Sequence, residues 1–173
     1  MKQWHMVTVV GKDRAGIVAA LTDALYRASA NLGEASMVRL GGNFTVMMMV
    51  QAEADASGIE QWLAPVARTM GLRVHVDPIE GQLHAHVEPN AHITVHGADR
   101  PGIVAQVTAV LAAHGFNILD LDSDVAGSAD KPVYVMLLEG HTVAGIESLE
   151  RVLAPLRQGG IEVRVTSLET MVG

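Results

Sequence analysis

The spacing of apolar residues along the chain predicts short strands and amphipathic helices in alternation. A β-branched run that ends at Gly11 has the composition of a strand. Apolar residues then recur at intervals of three and four, which is typical of a helix with one buried face. The turn Gly41-Gly42-Asn43 separates two further apolar runs and predicts a hairpin. The predicted elements of this first half are strands at 4–10, 34–40, 44–51 and 72–76 and helices at 15–30 and 56–70. Their order is βαββαβ, an α+β arrangement.

The same pattern returns in the second half of the chain. The segment 94–105 repeats the segment 8–19, and an offset of 86 positions relates Gly16 to Gly102. The loop of the second hairpin, at 126–132, is predicted to be longer than that of the first. The predicted elements of this half are strands at 91–96, 117–125, 133–139 and 161–168 and helices at 101–114 and 143–156. The repeat predicts two copies of one small domain.

The stretch between the copies carries prolines and shows no clear period, so we interpret it as a linker. We place the first domain at 1–78, the linker at 79–90 and the second domain at 91–173. Pro65 lies inside the second predicted helix and predicts a bend or a later start of that helix. Small domains bury a modest share of their surface and sheets have exposed edges, so a homodimer is a possible assembly.

Charge and composition narrow the classes of function. The net charge is −7, from 12 basic and 19 acidic residues, and no cluster of Lys or Arg is present. Direct binding to nucleic acid is therefore not expected. The absence of cysteine excludes disulfides, thiolate nucleophiles and zinc sites of the cysteine type. No apolar run approaches 18 residues, which predicts a soluble cytoplasmic protein without a membrane partner.

Candidate chemistry in the chain is sparse. His84, His86, Glu88 and His92 fall in or near the linker without the spacing of a helix-borne zinc site, so no metal site is expected. No nucleophile with an adjacent base is evident. We predict no catalytic residue and no cofactor, and hence a protein that is not an enzyme.

Two motifs carry a resemblance to a known family. Asp99-Arg100-Pro101-Gly102-Ile103-Val104 follows the first strand of the second copy, and Gly115-Phe116-Asn117-Ile118 follows its first helix. The first copy has Asp13-Arg14-Ala15-Gly16-Ile17-Val18 and Asn31 at the matching positions. Each copy resembles an ACT domain, and two such domains filling a chain are similar to the glycine cleavage system transcriptional repressor family. The resemblance implies two tandem ferredoxin-like βαββαβ domains, with antiparallel sheets and helices on one face.

The same resemblance implies a function. It implies an amino-acid-responsive regulatory protein that contacts a DNA-binding transcriptional activator, with a small amino acid such as glycine altering that contact. Two alternatives stay open: an interaction protein that needs no ligand, and a detached regulatory subunit of an amino-acid metabolic enzyme.

The resemblance also implies where the amino acid would bind. A helix N-terminus offers free N–H groups to a carboxylate, glycine lets a ligand approach the backbone, and asparagine can donate and accept. The candidate ligand-binding residues are Asp13, Gly16, Ile17, Asn31, Asp99, Gly102, Ile103 and Asn117. Alternatively, the aspartates cap the helices, the asparagines end them, and the glycines serve close packing. The first copy has Ala15 where the second has Pro101, and Ser29-Ala30 where the second has Gly115-Phe116, which predicts a looser or unused first site.

Overall fold

A computed structural model describes residues 1–80 and 87–168. The chain divides into two compact units, Met1–Ala85 and His86–Gly173. Each unit contains one sheet of four strands, and every strand pair in both sheets is antiparallel. No helix in the described residues is long and apolar enough to cross a membrane.

The first unit has the predicted order βαββαβ. Its strands lie side by side in the order β2-β3-β1-β4, so the first and last strands of this unit, β1 and β4, are neighbours. Alternate residues of β1, including Val7 and Val9, are buried against the helices, and Leu21 and Leu63 complete the core from the helix side. The elements are β1 (Gln3–Lys12), α1 (Ile17–Arg27), β2 (Asn31–Leu40), β3 (Asn43–Ala52), α2 (Ala56–Met70) and β4 (Arg73–Ile79).

The second unit repeats this topology, with strands in the order β6-β7-β5-β8. Val95, Val107 and Leu149 are among the fully buried residues of its core. The elements are β5 (Ala91–Ala98), α3 (Ile103–Ala113), β6 (Asn117–Ser128), β7 (Lys131–His141), α4 (Ile146–Leu153), a 3-10 segment (Ala154–Gly159) and β8 (Ile161–Ser167). The two ferredoxin-like βαββαβ domains with helices on one face are confirmed.

Two details of the sequence prediction are wrong. β6 and β7 continue until Ser128 lies opposite Lys131, so the extra residues of the second hairpin lengthen its strands instead of its loop. β4 continues to Ile79, opposite Trp4, and so extends beyond the predicted strand at 72–76. α2 has the predicted bounds, Ala56 to Met70, so of the two effects predicted for Pro65 the later start does not occur.

At one place in the core, the two units fill the same space with side chains from different positions. The structure puts His5 opposite Val50, and it puts Ala91 opposite Gly140 at the equivalent point of the second sheet. A Cβ added to Gly140 would clash with the Asn117 carbonyl and would lie 2.5 Å from the ring of Phe116, so the backbone and the ring together fill the space that a side chain would need. The first unit has Ala30 where the second has Phe116. The larger groups are therefore His5 and Val50 in one unit and Phe116 in the other.

His5 is the polar member of this exchange. Its side chain is 1% exposed, and its Nδ1 atom has no hydrogen-bond partner among the described residues. An unpaired buried polar atom costs free energy, because water would satisfy it in the unfolded chain.

Candidate functional site

The candidate site is the turn between the first strand and the first helix of each unit. We refer to residues 13–16 as the first corner and to residues 99–102 as the second corner. Gly16 has φ +90° and Gly102 has φ +97°, a left-handed conformation that residues with a side chain rarely adopt. Ala15 in place of Pro101 therefore leaves the N-cap glycine of the first corner in the same conformation as that of the second.

The two glycines are required by backbone conformation and not by close packing. A Cβ added to Gly16 would meet no atom nearer than Met70 Cε, at 4.0 Å. One added to Gly102 would lie 3.4 Å from Gln106 Nε2, the end of a flexible side chain. The packing alternative is thus wrong, and the space beside each corner is open to a ligand.

Asp13 and Asp99 do not cap the helices, so that alternative is wrong as well. Gly16 and Gly102 are themselves the N-cap residues, and neither helix has a side-chain cap. By contrast, the Asp55 carboxylate caps α2 by accepting from the N–H of Gly58 at 2.8 Å. The first-turn N–H groups of α1 and α3 therefore lack a side-chain acceptor.

The two corners differ in the partners of their charged side chains. In the first, Arg39 Nε lies 2.6 Å from the Asp13 carboxylate, and the N–H of Asp13 donates to the Gly42 carbonyl. The second unit has Val125 at the position of Arg39. Among the described residues, no side chain pairs with the carboxylate of Asp99. The carboxylate is therefore paired with a cationic side chain at the first corner and not at the second, as far as the described residues go.

The second corner is fixed instead through its arginine. Arg100 Nη2 donates to the Gly159 carbonyl at 2.7 Å, which joins the corner to the end of the 3-10 segment. The N–H of Asp99 donates to the Pro132 carbonyl at 3.2 Å. In both corners the aspartate N–H thus bonds to the hairpin, whereas the side-chain contact is to β2 in the first corner and to the 3-10 segment in the second.

Ile17 and Ile103 can offer a ligand only their main chain. Each is 2% exposed, and its side chain is part of the core of its unit. The side chains hold the first turn of α1 and α3 against the sheet. That packing fixes the direction of the free N–H groups.

Asn31 and Asn117 lie far from the corners of their own units. Lys12, next to the first corner, is opposite Asn43 at one end of β3, whereas Asn31 is opposite Gln51 near the other end. Eight residues of strand separate these points by roughly 25 Å. The first unit therefore does not bring Asn31 to its own Gly16.

The asparagines do not end the helices, and that alternative is wrong too. They are the first residues of β2 and β6. The left-handed residue after α1 is Ser29, with φ +57°, and the one after α3 is Gly115, with φ +69°. The first copy thus makes the same helix stop without glycine.

The sequence did not predict the cavity between α1 and β2. A pocket of about 250 Å³ lies between α1 and β2, with Val18, Leu32 and Met48 among its apolar lining and Thr22 and Ser36 among its polar lining. The Thr22 hydroxyl already donates to the Val18 carbonyl. The signal in the sequence was the run of apolar residues on an edge strand.

The histidines near the linker give no metal centre in the described residues. His84 and His86 lie outside them. His92 Nδ1 lies 3.4 Å from a Glu139 carboxylate oxygen, and His141 Nδ1 lies 3.1 Å from the Glu88 carbonyl. The described part of the chain contains no group of three or more candidate metal ligands.

Both units match the same family. A model of the ACT domain matches residues 4–77, and a second ACT-domain model matches residues 91–158. The chain belongs to the ACT-domain family. Its two ACT domains stand in tandem and together account for most of the sequence.

Several known proteins resemble this ACT-domain chain. The glycine cleavage system transcriptional repressor of Escherichia coli (strain K12) is 26% identical over 70% of this chain and 65% of its own length. The UPF0237 protein YjhC of Lactococcus lactis subsp. lactis is 39% identical over 41% of this chain and 83% of its own length. A crystal structure of an unknown protein from Galdieria sulphuraria has a TM-score of 0.77 at 26% identity, over 97% of this chain and 99% of that one. The chain is related to the repressor, and its ACT domains point to a regulatory, non-catalytic protein.

Proposed function

We propose that the chain is an amino-acid-responsive regulatory protein of the glycine cleavage repressor type. In this proposal it acts in the cytoplasm through a protein–protein contact with a DNA-binding transcriptional activator and does not bind DNA itself. Relationship to the E. coli repressor supports the class of function. The net charge of −7 without a basic cluster favours a protein partner over nucleic acid.

The observation that carries the proposal is the pair of uncapped helix N-termini at Gly16 and Gly102. The carboxylate of an amino acid would accept hydrogen bonds from the first-turn N–H groups, where the helix dipole also favours negative charge. A ligand bound in this way alters regulation only if its affinity differs between two arrangements of the protein.

The first corner is the better receptor for a carboxylate. Arg39 neutralises Asp13, whereas the charge of Asp99 has no partner among the described residues and would repel an anion. We therefore assign the ligand to Gly16 and the N–H groups of α1. This reverses the expectation that the first copy is the looser or unused one.

Calorimetry with the full chain tests ligand binding. We expect heat on titration with glycine and a melting temperature that rises with its concentration. Gly16→Ala adds a Cβ in the open space at the corner and should lower glycine affinity at least tenfold. Gly115→Ala is the matched control, because it imposes a similar backbone strain of about 1–2 kcal/mol at the other end of a unit.

The outcomes separate the candidate functions. Absence of heat and of any melting shift at millimolar amino acid would favour an interaction protein without a ligand. Purification of the tagged full chain from its native cells then identifies the partner. A DNA-binding activator supports the proposal, and an enzyme of amino-acid metabolism would replace it with the detached regulatory subunit.

A further inference from the structure

The four sheet edges of the two units differ in how well they could accept another strand. Natural edges are commonly protected by proline, bulges or like charges. β4 contains Pro78, and β2 has a register shift between Leu32 and Ala35. β6 has a register shift after Ile118 and carries three aspartates at alternate positions. These aspartates are Asp120, Asp122 and Asp124.

β8 has none of these protections. Its seven residues pair with β5 in unbroken register from Ile161 to Ser167 and include no proline. A cleft of about 710 Å³ lies beside this strand, with Leu153, Val163 and Val165 among its apolar lining and Arg157, Glu162 and Arg164 among its charged lining. The cleft forms where α4 gives way to the 3-10 segment, whereas α2 of the first unit continues as a helix.

The unpaired backbone groups of β8 belong to alternate residues. Arg157 Nη2 reaches the Val163 carbonyl at 3.5 Å, so the backbone groups of Val163 point away from β5. Because these directions alternate along an antiparallel strand, those of Ile161 and Val165 point the same way. The arginine contact is long, so a backbone N–H could share or replace it.

The charged residues of one β8 strand are complementary to those of a second β8 strand that lies antiparallel to it. Glu162 and Arg164 flank Val163 and are both exposed. If a second β8 lies antiparallel with Val163 opposite Val163, then each Glu162 faces an Arg164 and each Ile161 faces a Val165. This register aligns the outward backbone groups and places opposite charges across the two strands.

We propose that two copies of this chain associate through β8, in a two-fold symmetric interface that joins their second sheets. The same patch serves both partners, which is the geometry that closes as a dimer and does not propagate. The interface lies in the second unit and is independent of the ligand site assigned to the first corner.

Charge reversal tests the register. Glu162→Arg places Arg opposite Arg, and Arg164→Glu places Glu opposite Glu, so each variant alone should weaken the dimer about 10- to 30-fold in sedimentation equilibrium. An equimolar mixture of the two variants places Arg opposite Glu at every position. We expect this mixture to form a heterodimer with an affinity near that of the unchanged chain.

Arg73→Glu is the control variant. Arg73 has the position on β4 that Glu162 has on β8, and its replacement should leave the dimer unaffected. A second measurement is amide hydrogen exchange, which should slow at Val163 and Val165 as protein concentration rises. A chain that stays monomeric at millimolar concentration, or single variants that dimerise as well as the unchanged chain, would overturn the proposal. So would a mixture no stronger than its components.

Discussion

At the scale of single residues, the two cores solve one packing problem in two ways. The ring of Phe116 occupies the space beside Gly140, and the first unit has Ala30 and Val50 at these positions. Ala30→Phe alone should lower the free energy of unfolding by about 1–3 kcal/mol, because the ring would meet filled space. Adding His5→Ala and Val50→Gly should recover most of that loss, as residues in contact are not additive. Urea denaturation of the single and triple variants measures both effects, and equal losses would contradict the exchange.

A second residue-scale prediction concerns the left-handed helix stops. Ser29 has φ +57° where its counterpart Gly115 has +69°. Ser29→Gly should raise the free energy of unfolding by about 0.5–1 kcal/mol, and Gly115→Ser should lower it by a similar amount. Chemical denaturation of the two variants gives the comparison. Two changes of the same sign would show that backbone strain is not what distinguishes the positions.

At the scale of elements, one dipeptide lies in two different environments. Ala64-Pro65 is inside the fifteen-residue helix α2, and Ala154-Pro155 begins the 3-10 segment. Pro65→Ala should stabilise the chain by about 1–2 kcal/mol, since it restores a helix hydrogen bond and removes a clash. Pro155→Ala should be neutral or destabilise by up to about 1 kcal/mol, because proline is tolerated in a first turn and limits the unfolded chain. Thermal unfolding distinguishes the two, and stabilisation by both would contradict this account.

The elements also show what the sequence could predict. Periodicity predicted, in order, the eight strands and four α-helices of the described residues, because burying one face leaves a local signature. It missed the length of the β6–β7 hairpin, since Gly127 and its neighbours suit a strand near a tight turn as well as a loop. The corners were recognised from glycine spacing, whereas the pairing of Asp13 with Arg39 joins residues distant in sequence. No local pattern reports such a contact.

At the scale of the molecule, we expect the two copies to have separate tasks. Arg39→Leu leaves the charge of Asp13 unpaired and should weaken glycine binding about three- to tenfold, with Asp13→Asn restoring it. The dimer should be unchanged by Arg39→Leu. Glu162→Arg should have the converse effect, with a weaker dimer and normal heat on glycine titration. If one substitution altered both properties, the tasks would be coupled.

The exchanged core volumes also constrain how the gene can change. Gene conversion copies short tracts from one repeat of a coding sequence onto the other. A tract that carried the codon of Phe116 into the first repeat, without those of Ala91 and Gly140, would produce an overfilled core. The reverse transfer would leave a void. We expect such recombinants to be lost, so that the two halves of the gene diverge even while both keep one fold.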